Sequence, residues 1–233
     1  NIKKQDGDNN TQEKIYKNWI PEQKKINQDN KIHILKTHNA LCNINGYNFT
    51  DKFNTAGVIY IVRDPRNLIL SISHHYDLNI DDTYDFIVNK KKIIFPKKSD
   101  MSSLGKKNIE DFNFLGDWST HYQSWKNINF CPIKIIRYED ILNNEYKVFL
   151  SILSFLSKFI KIKINPKKIK NTIAATSFKK LSDMEDQYGF REAVYSAKKN
   201  KKLKFFYLGK KNDWEKFLDN KTRKKIEQIF KKD

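Results

Sequence analysis

The chain has 233 residues, of which 39% are hydrophobic and 13% aromatic; this composition predicts one globular domain over residues 1–233 and excludes wholesale disorder. No stretch approaches the roughly 20 apolar residues that a membrane-spanning helix needs, so we expect no membrane span. The formal charge of +18 raises the question of nucleic-acid binding, but only five of the 45 basic residues are Arg, and we attribute the Lys excess to codon bias and expect no nucleic-acid partner.

The first sixty residues carry one strong structural signal. Residues 1–30 are polar and are predicted to be irregular or to form a short helix around residues 15–20. Residues 32–36 alternate in polarity and are predicted to be extended. The run GVIYIV at 57–62 is continuously apolar, which is typical of a strand buried on both faces of a parallel sheet.

A helix is predicted directly after this strand. Asp64 can cap its first turn, and Pro65 suits the first helical position. The remaining predictions are helices at 81–89, 114–126, 145–159, 166–175 and 221–232, a strand at 133–138, and a mobile loop at 95–108. Strands that alternate with helices indicate an α/β fold with a mostly parallel sheet.

The junction between the strand and the helix is a candidate anion site. Ligands of open α/β sheets bind beyond the carboxyl ends of strands, where Arg63 can pair with a phosphate. Ser71 reaches the same anion only if the helix starts late or bends. From these residues alone, pairing of Arg63 with a neighbouring carboxylate is an equally good interpretation.

Residues 59–76 resemble the 3′-phosphate-binding segment of the sulfotransferase family, in which an Arg and a Ser stand eight residues apart at a strand-to-helix junction. Other stretches resemble motifs of the same family in the same order: LKTH at 35–38, Gly116-Asp117-Trp118 with His121 and Trp125, YED at 138–140, TSF at 176–178, and GKKNDW at 209–214. Six matches in one order argue against coincidence.

The resemblance implies a P-loop-like three-layer α/β fold, with a central, mostly parallel sheet flanked by helices. It implies a sulfotransferase enzyme that moves a sulfuryl group from 3′-phosphoadenosine-5′-phosphosulfate to a hydroxyl or amine by in-line transfer, with adenosine 3′,5′-bisphosphate as product. No metal is expected. The acceptor is expected to be a small molecule or a carbohydrate, and its identity and the oligomeric state stay open.

The resemblance also implies roles for individual residues. His38 is the expected general base, because the ordinary imidazole pKa, about 6.5, lies near working pH. Lys36 is expected to neutralise developing negative charge. The implied cofactor-binding residues are Arg63, Ser71, Tyr138, Thr176, Phe178, Gly209 and Lys210.

The chain departs from the family pattern in two places. Nothing in residues 1–30 resembles the family's Tyr-Pro-Lys-Ser-Gly-Thr-Thr loop, which follows the first strand and holds the 5′-phosphosulfate. We therefore expect the natural protein to begin earlier, with that strand and loop missing from this chain. Tyr207 and Leu208 stand where better-known members have Arg-Lys, and Lys210 and Lys211 are expected to supply positive charge instead.

Three alternatives stay open. A P-loop nucleotide kinase predicts a Walker loop and a Mg²⁺-binding residue, which the sequence does not contain. A nucleic-acid-binding module predicts Arg-rich patches among exposed aromatics. A catalytically silent relative is the third. Cys42 and Cys131 are far apart and form no CxxC pattern, so we expect no disulfide framework, no zinc site, and a cytoplasmic location.

Overall fold

The computed structural model describes residues 9–29, 31–95, 112–196 and 198–231, which fall into two compact units. Unit 1 comprises Asn1–Val58 and Val88–Ile133, and unit 2 comprises Ile59–Ile87 and Lys134–Asp233. The loop predicted at 95–108 lies, beyond residue 95, outside the described residues.

Helices dominate both units. They are α1 Asn9–Ile26, α2 Pro65–Tyr76, α3 Ile80–Val88, α4 Trp118–Lys126, α5 Tyr138–Asn143, α6 Glu145–Leu156, α7 Pro166–Ala175, α8 Phe178–Tyr188, α9 Trp214–Phe217 and α10 Asn220–Phe230, with short 3₁₀ turns at Asn27–Asp29 and Gly209–Lys211. In the described part of the chain, no helix combines the length and the hydropathy needed to cross a membrane.

The strands form pairs. They are β1 Asn43–Ile44, β2 Tyr47–Asn48, β3 Val58–Val62, β4 Ile93–Ile94, β5 Asn113–Phe114, β6 Ile133–Arg137, β7 Tyr195–Ser196 and β8 Lys201–Lys202. Three pairs, β1–β2, β4–β5 and β7–β8, are antiparallel, whereas β3 and β6 pair in parallel. The predicted α/β class, with parallel strands separated by helices, is confirmed.

The core of unit 1 explains why α1 is longer than the short helix predicted around residues 15–20. Tyr16 and Trp19 lie three residues apart, on one face of the helix, and are buried together with Phe112. The helix continues through Pro21. Because packing of an apolar face stabilises a helix more than its intrinsic propensity does, the polar composition of this segment understated its length.

The parallel strands β3 and β6 end directly before Arg63 and Tyr138, two of the predicted site residues. The strand predicted at 57–62 is present as β3, but burial on both of its faces is wrong for Ile61, which is 55% exposed. On β6, Ile136 is 5% exposed. A continuous apolar run predicts a strand correctly, but it does not reveal which faces are covered by other elements.

Capping residues determine where two functional helices begin. Helix α2 starts at Pro65, and the Asp64 carboxylate accepts a hydrogen bond from the backbone N–H of Arg66, as the cap prediction required. Helix α4 starts at Trp118, four residues later than predicted. Asp117 caps α4 by accepting from Thr120 N at 2.6 Å, and the residues before it pair as β5 with β4.

Candidate functional site

The segment that carries Lys36 and His38 is held in place by the residue that follows it. Asn39 is buried; its side-chain oxygen accepts from Phe114 N at 2.8 Å, and its backbone carbonyl accepts from Trp125 Nε1 at 2.9 Å. Residues 31–38 are exposed and belong to no helix or strand. Asn39 therefore fixes the end of an otherwise exposed segment against β5 and α4.

His121 contacts the same segment from α4. Its Nε2 lies 3.2 Å from the backbone carbonyl oxygen of His38, and a carbonyl only accepts, so Nε2 carries the hydrogen. Burial lowers the pKa of His121, while the hydrogen bond to the His38 carbonyl opposes that effect. A neutral His121 can make this contact, and it braces the backbone at His38.

Lys36 and His38 line an open cleft in unit 1. Its volume is about 380 Å³, and it is bordered by Trp19, Lys36, Thr37, His38, Asn39, Phe49 and Asn113. An exposed ammonium and an exposed imidazole thus share a cavity with an aromatic wall. Such a cavity can hold an apolar or amphipathic molecule beside a proton acceptor and a cation.

Arg63, Ser71 and Tyr138 are brought together in unit 2. The Arg63 Nη1 donates to Ser71 Oγ at 2.9 Å, and its guanidinium lies 4.6 Å from the centre of the Tyr138 ring. Helix α2 begins at Pro65, without a late start, and Arg63 contacts Ser71 directly. A guanidinium and a hydroxyl therefore converge at the end of β3.

The backbone at this junction is tied to β6 and α5. The N–H of Asp64 donates to Glu139 Oε1 at 3.2 Å, so the YED motif supports the residue next to Arg63. Burial lowers the pKa of the Arg63 guanidinium, whereas Tyr138, Glu139 and Asp64 favour its charged form. A guanidinium keeps its charge in proteins, so the site presents a partly buried cation suited to an anion.

A second group of predicted residues lies where α8 meets the turn at Gly209–Lys211. Gly209 has φ +53°, and a Cβ there would approach three atoms of the Phe178 ring at 2.9 Å. Thr176, two residues before Phe178, caps the C-terminus of α7, and its Oγ1 donates to Thr172 O at 2.9 Å. Lys210 is exposed in the same turn as Gly209.

The segment that follows this turn is attached to α2. Asn212 Nδ2 donates to Ser71 Oγ at 2.9 Å and to Asn67 O at 3.2 Å, and Trp214 N donates to Asn67 Oδ1 at 3.1 Å. The guanidinium carbons of Arg66 and Arg223 lie 4.1 and 4.5 Å from the centre of the Trp214 ring. These contacts link the second group to Ser71 of the first.

Sequence reasoning named Lys36 and His38, which lie in unit 1, and seven nucleotide-binding residues, which lie in unit 2. It missed Asn39 and Asn212. The signal for Asn212 was present, since GKKNDW resembles the family's Gly-Lys-x-Gly-Asp-Trp loop and Asn212 stands at its second Gly, but the contact of Asn212 with Ser71 depends on the tertiary structure. Among the described residues, no group of three or more His, Cys, Asp or Glu is arranged to hold a metal ion.

Comparison with known proteins identifies the family. The family model described as "Sulfotransferase domain" matches residues 9–233. Sulfotransferase 1B1 of Canis lupus familiaris is 23% identical over 181 residues, which cover 77% of this chain and 55% of that protein. Mouse sulfotransferase SULT7A1, solved in complex with PAP, aligns with a TM-score of 0.45 and 18% identity over 74% of this chain and 56% of that one. The chain thus spans about half the length of these relatives, and the family model covers nearly all of it: the chain belongs to the sulfotransferase family.

Proposed function

We propose that this protein transfers a sulfuryl group from 3′-phosphoadenosine-5′-phosphosulfate to a hydroxyl or amine of a small-molecule or carbohydrate acceptor. Family membership supports the reaction class. The observation that carries the donor assignment is the contact between Arg63 Nη1 and Ser71 Oγ at 2.9 Å, at the end of β3. A permanent cation in contact with a hydroxyl supports the proposal that both bind one phosphate.

The residues of unit 2 are suited to a nucleotide with a 3′-phosphate. Arg63 and Ser71 hold this phosphate through charge-assisted hydrogen bonds, which partial burial strengthens. Tyr138 and Thr176 border the adenine, and Phe178, whose ring is 40% exposed, stacks on it. Gly209 and Lys210, described above, allow the turn to approach the nucleotide and add positive charge.

The residues of the unit 1 cleft carry the proton transfer in this proposal. When bound, the donor supplies the sulfuryl group and leaves as adenosine 3′,5′-bisphosphate. His38 accepts the proton of the acceptor hydroxyl or amine, because a neutral imidazole is available near neutral pH. Lys36, which lines the same cleft, offsets the negative charge that develops during transfer. Asn39 and His121 keep the backbone at His38 in place.

Calorimetry with adenosine 3′,5′-bisphosphate tests the nucleotide site in the full-length protein. Arg63→Ala should weaken binding by roughly 10- to 150-fold, since a hydrogen bond to a charged group contributes about 1.5–3 kcal/mol. Arg191→Ala is the matched control, because Arg191 is exposed and outside the site. Unchanged affinity in Arg63→Ala, or tighter binding of ATP with Mg²⁺ than of the bisphosphate by the unaltered protein, contradicts the assignment.

Turnover tests the proposed base. His38→Ala should abolish sulfation of an accepted substrate and leave bisphosphate binding intact, because the two functions reside on different residues. His33→Ala is the control: His33 lies five residues away and pairs with Asp29 at 2.9 Å. Full sulfation by His38→Ala excludes His38 as the base.

The organisation of residues 1–233 as one domain and the cytoplasmic location stay predictions. Calorimetric unfolding, in which one domain should give a single cooperative transition, and microscopy of a tagged copy would test them.

A further inference from the structure

Asn212 adds a third polar group to the Arg63–Ser71 pair. Ser71 Oγ accepts two hydrogen bonds of equal length, from Arg63 Nη1 at 2.9 Å and from Asn212 Nδ2 at 2.9 Å. The two donors reach the hydroxyl from different elements, one at the end of β3 and one in the segment after the Gly209–Lys211 turn. The Ser71 hydroxyl therefore contacts both a guanidinium and an amide.

The orientation of the Asn212 amide follows from its partners. Nδ2 donates to Ser71 Oγ and to Asn67 O, and a flipped amide would place its oxygen against the Asn67 carbonyl. In this orientation Oδ1 is buried and accepts no hydrogen bond from the described residues. A phosphate only accepts and cannot satisfy Oδ1, so the group of Asn212 that is suited to an anion is Nδ2.

The two residues before Gly209, Tyr207 and Leu208, bring no positive charge to the proposed phosphate site. Tyr207 is stacked on His74, with ring centres 3.7 Å apart and an angle of 2° between planes. The His74 ring is in turn bonded to Lys204 O at 2.7 Å. Tyr207 is thus committed to packing and cannot supply a positive charge, while Asn212 lies within hydrogen-bond distance of Ser71.

We propose that Asn212 is a third ligand of the nucleotide 3′-phosphate: when the nucleotide binds, one of the two Nδ2 hydrogens turns from Ser71 Oγ to the phosphate, and the other stays on Asn67 O. This inference rests on the proposed function, because it assumes that a 3′-phosphate occupies the Arg63–Ser71 site. The amide binds the phosphate without adding charge. The segment that follows the Gly209–Lys211 turn then both covers the nucleotide and binds its 3′-phosphate.

Paired calorimetry with adenosine 3′,5′-bisphosphate and adenosine 5′-monophosphate separates a phosphate contact from general loosening of the segment. Asn212→Ala should weaken bisphosphate binding roughly 10- to 100-fold and leave monophosphate binding within about twofold. Asn212→Asp, which is nearly isosteric, should weaken bisphosphate binding further, because a carboxylate repels the phosphate.

Asn67→Ala is the matched control. It removes the side chain that accepts from Trp214 N, but it retains the backbone carbonyl that accepts from Asn212. Asn67→Ala should therefore weaken the binding of both nucleotides by the same factor. Equal weakening of both nucleotides in Asn212→Ala would show that Asn212 only fastens the segment and would overturn the proposal, as would unchanged binding of both.

The monophosphate also reports whether each variant is folded, and thermal unfolding without nucleotide checks this independently. If the unaltered protein binds neither nucleotide, or binds both equally, the proposed 3′-phosphate site is wrong and this inference is wrong with it. If the unaltered protein prefers the bisphosphate and Asn212→Ala keeps that preference, only the inference about Asn212 is wrong.

Discussion

Replacement of Gly209 by alanine should destabilise the protein for two separable reasons. The first is the backbone: φ is +53°, and an L-residue in the left-handed region costs roughly 1–2 kcal/mol. The second is steric, since the new Cβ would lie 2.9 Å from three atoms of the Phe178 ring. Because Phe178 is 40% exposed, its ring can turn aside, and the cost of an off-rotamer side chain is about 0.5–1.5 kcal/mol.

The two contributions together amount to about 2.5 kcal/mol. For a protein of this size, 1 kcal/mol shifts the unfolding midpoint by about 2–4 °C, so Gly209→Ala should lower it by about 5–10 °C. Gly46→Ala is the control for the backbone contribution alone, because Gly46 has φ +89° and no atom within 4 Å of its Cβ position. Its cost should stay near 1–2 kcal/mol.

Denaturant unfolding of Gly209→Ala, Phe178→Ala and the double variant measures the steric contribution as a coupling free energy. In the Phe178→Ala background, Gly209→Ala should cost no more than Gly46→Ala does in the unaltered protein. The reasoning is refuted if Gly209→Ala is no more destabilising than Gly46→Ala, or if its cost is the same with and without the Phe178 ring.

Three further outcomes are expected. Trp125→Phe removes the N–H that binds the buried Asn39 carbonyl at 2.9 Å and should cost about 1–3 kcal/mol in urea unfolding; a smaller loss would mean that the carbonyl finds another donor. Burial raises the pKa of the Cys42 thiol to about 11, so its reaction with a thiol reagent should be slow at pH 7 in the folded protein and accelerate towards pH 11, whereas equal rates in folded and unfolded protein would contradict this. The hydrogen bond from Ser196 lowers the pKa of Asp77, so its contribution to stability is present above the unfolded pKa, near 3.9, and is lost as pH falls through the lower folded pKa. Asp77→Asn should therefore reduce stability at pH 7 and have a much smaller effect near pH 2, which acid unfolding curves of both proteins can measure.

Local signals predicted the strand-to-helix junction well. The apolar run at 57–62, followed by Asp64 and Pro65, correctly predicted β3 and the first turn of α2. The direct contact between Arg63 and Ser71 was not predicted, because it depends on how far the Arg63 side chain reaches along the helix. The Arg63 guanidinium contacts Ser71, which is eight residues further along the chain and lies in the second turn of α2.

Helix limits that depend on distant residues were predicted less well. α1 extends beyond its short apolar pattern because Tyr16 and Trp19 pack with Phe112, nearly 100 residues away in sequence. α4 begins late because the residues before it join β5 and Asp117 caps the first turn. Helix α8 was not predicted, although Ser177 caps it and Glu185 accepts the backbone N–H groups of Phe205 and Phe206.

The sequence by itself determined the family motifs, their order, and the residue types that bring positive charge and an imidazole to the proposed site, because these depend on identity and spacing. Only the tertiary structure decided that Ile61 is exposed, that Phe178 packs against Gly209, and that Asn212 meets Arg63 at Ser71. The physical reason is separation along the chain. Asn212 and Ser71 are 141 residues apart, and no local preference of either one predicts a contact that exists only after α2 and the C-terminal segment have packed together.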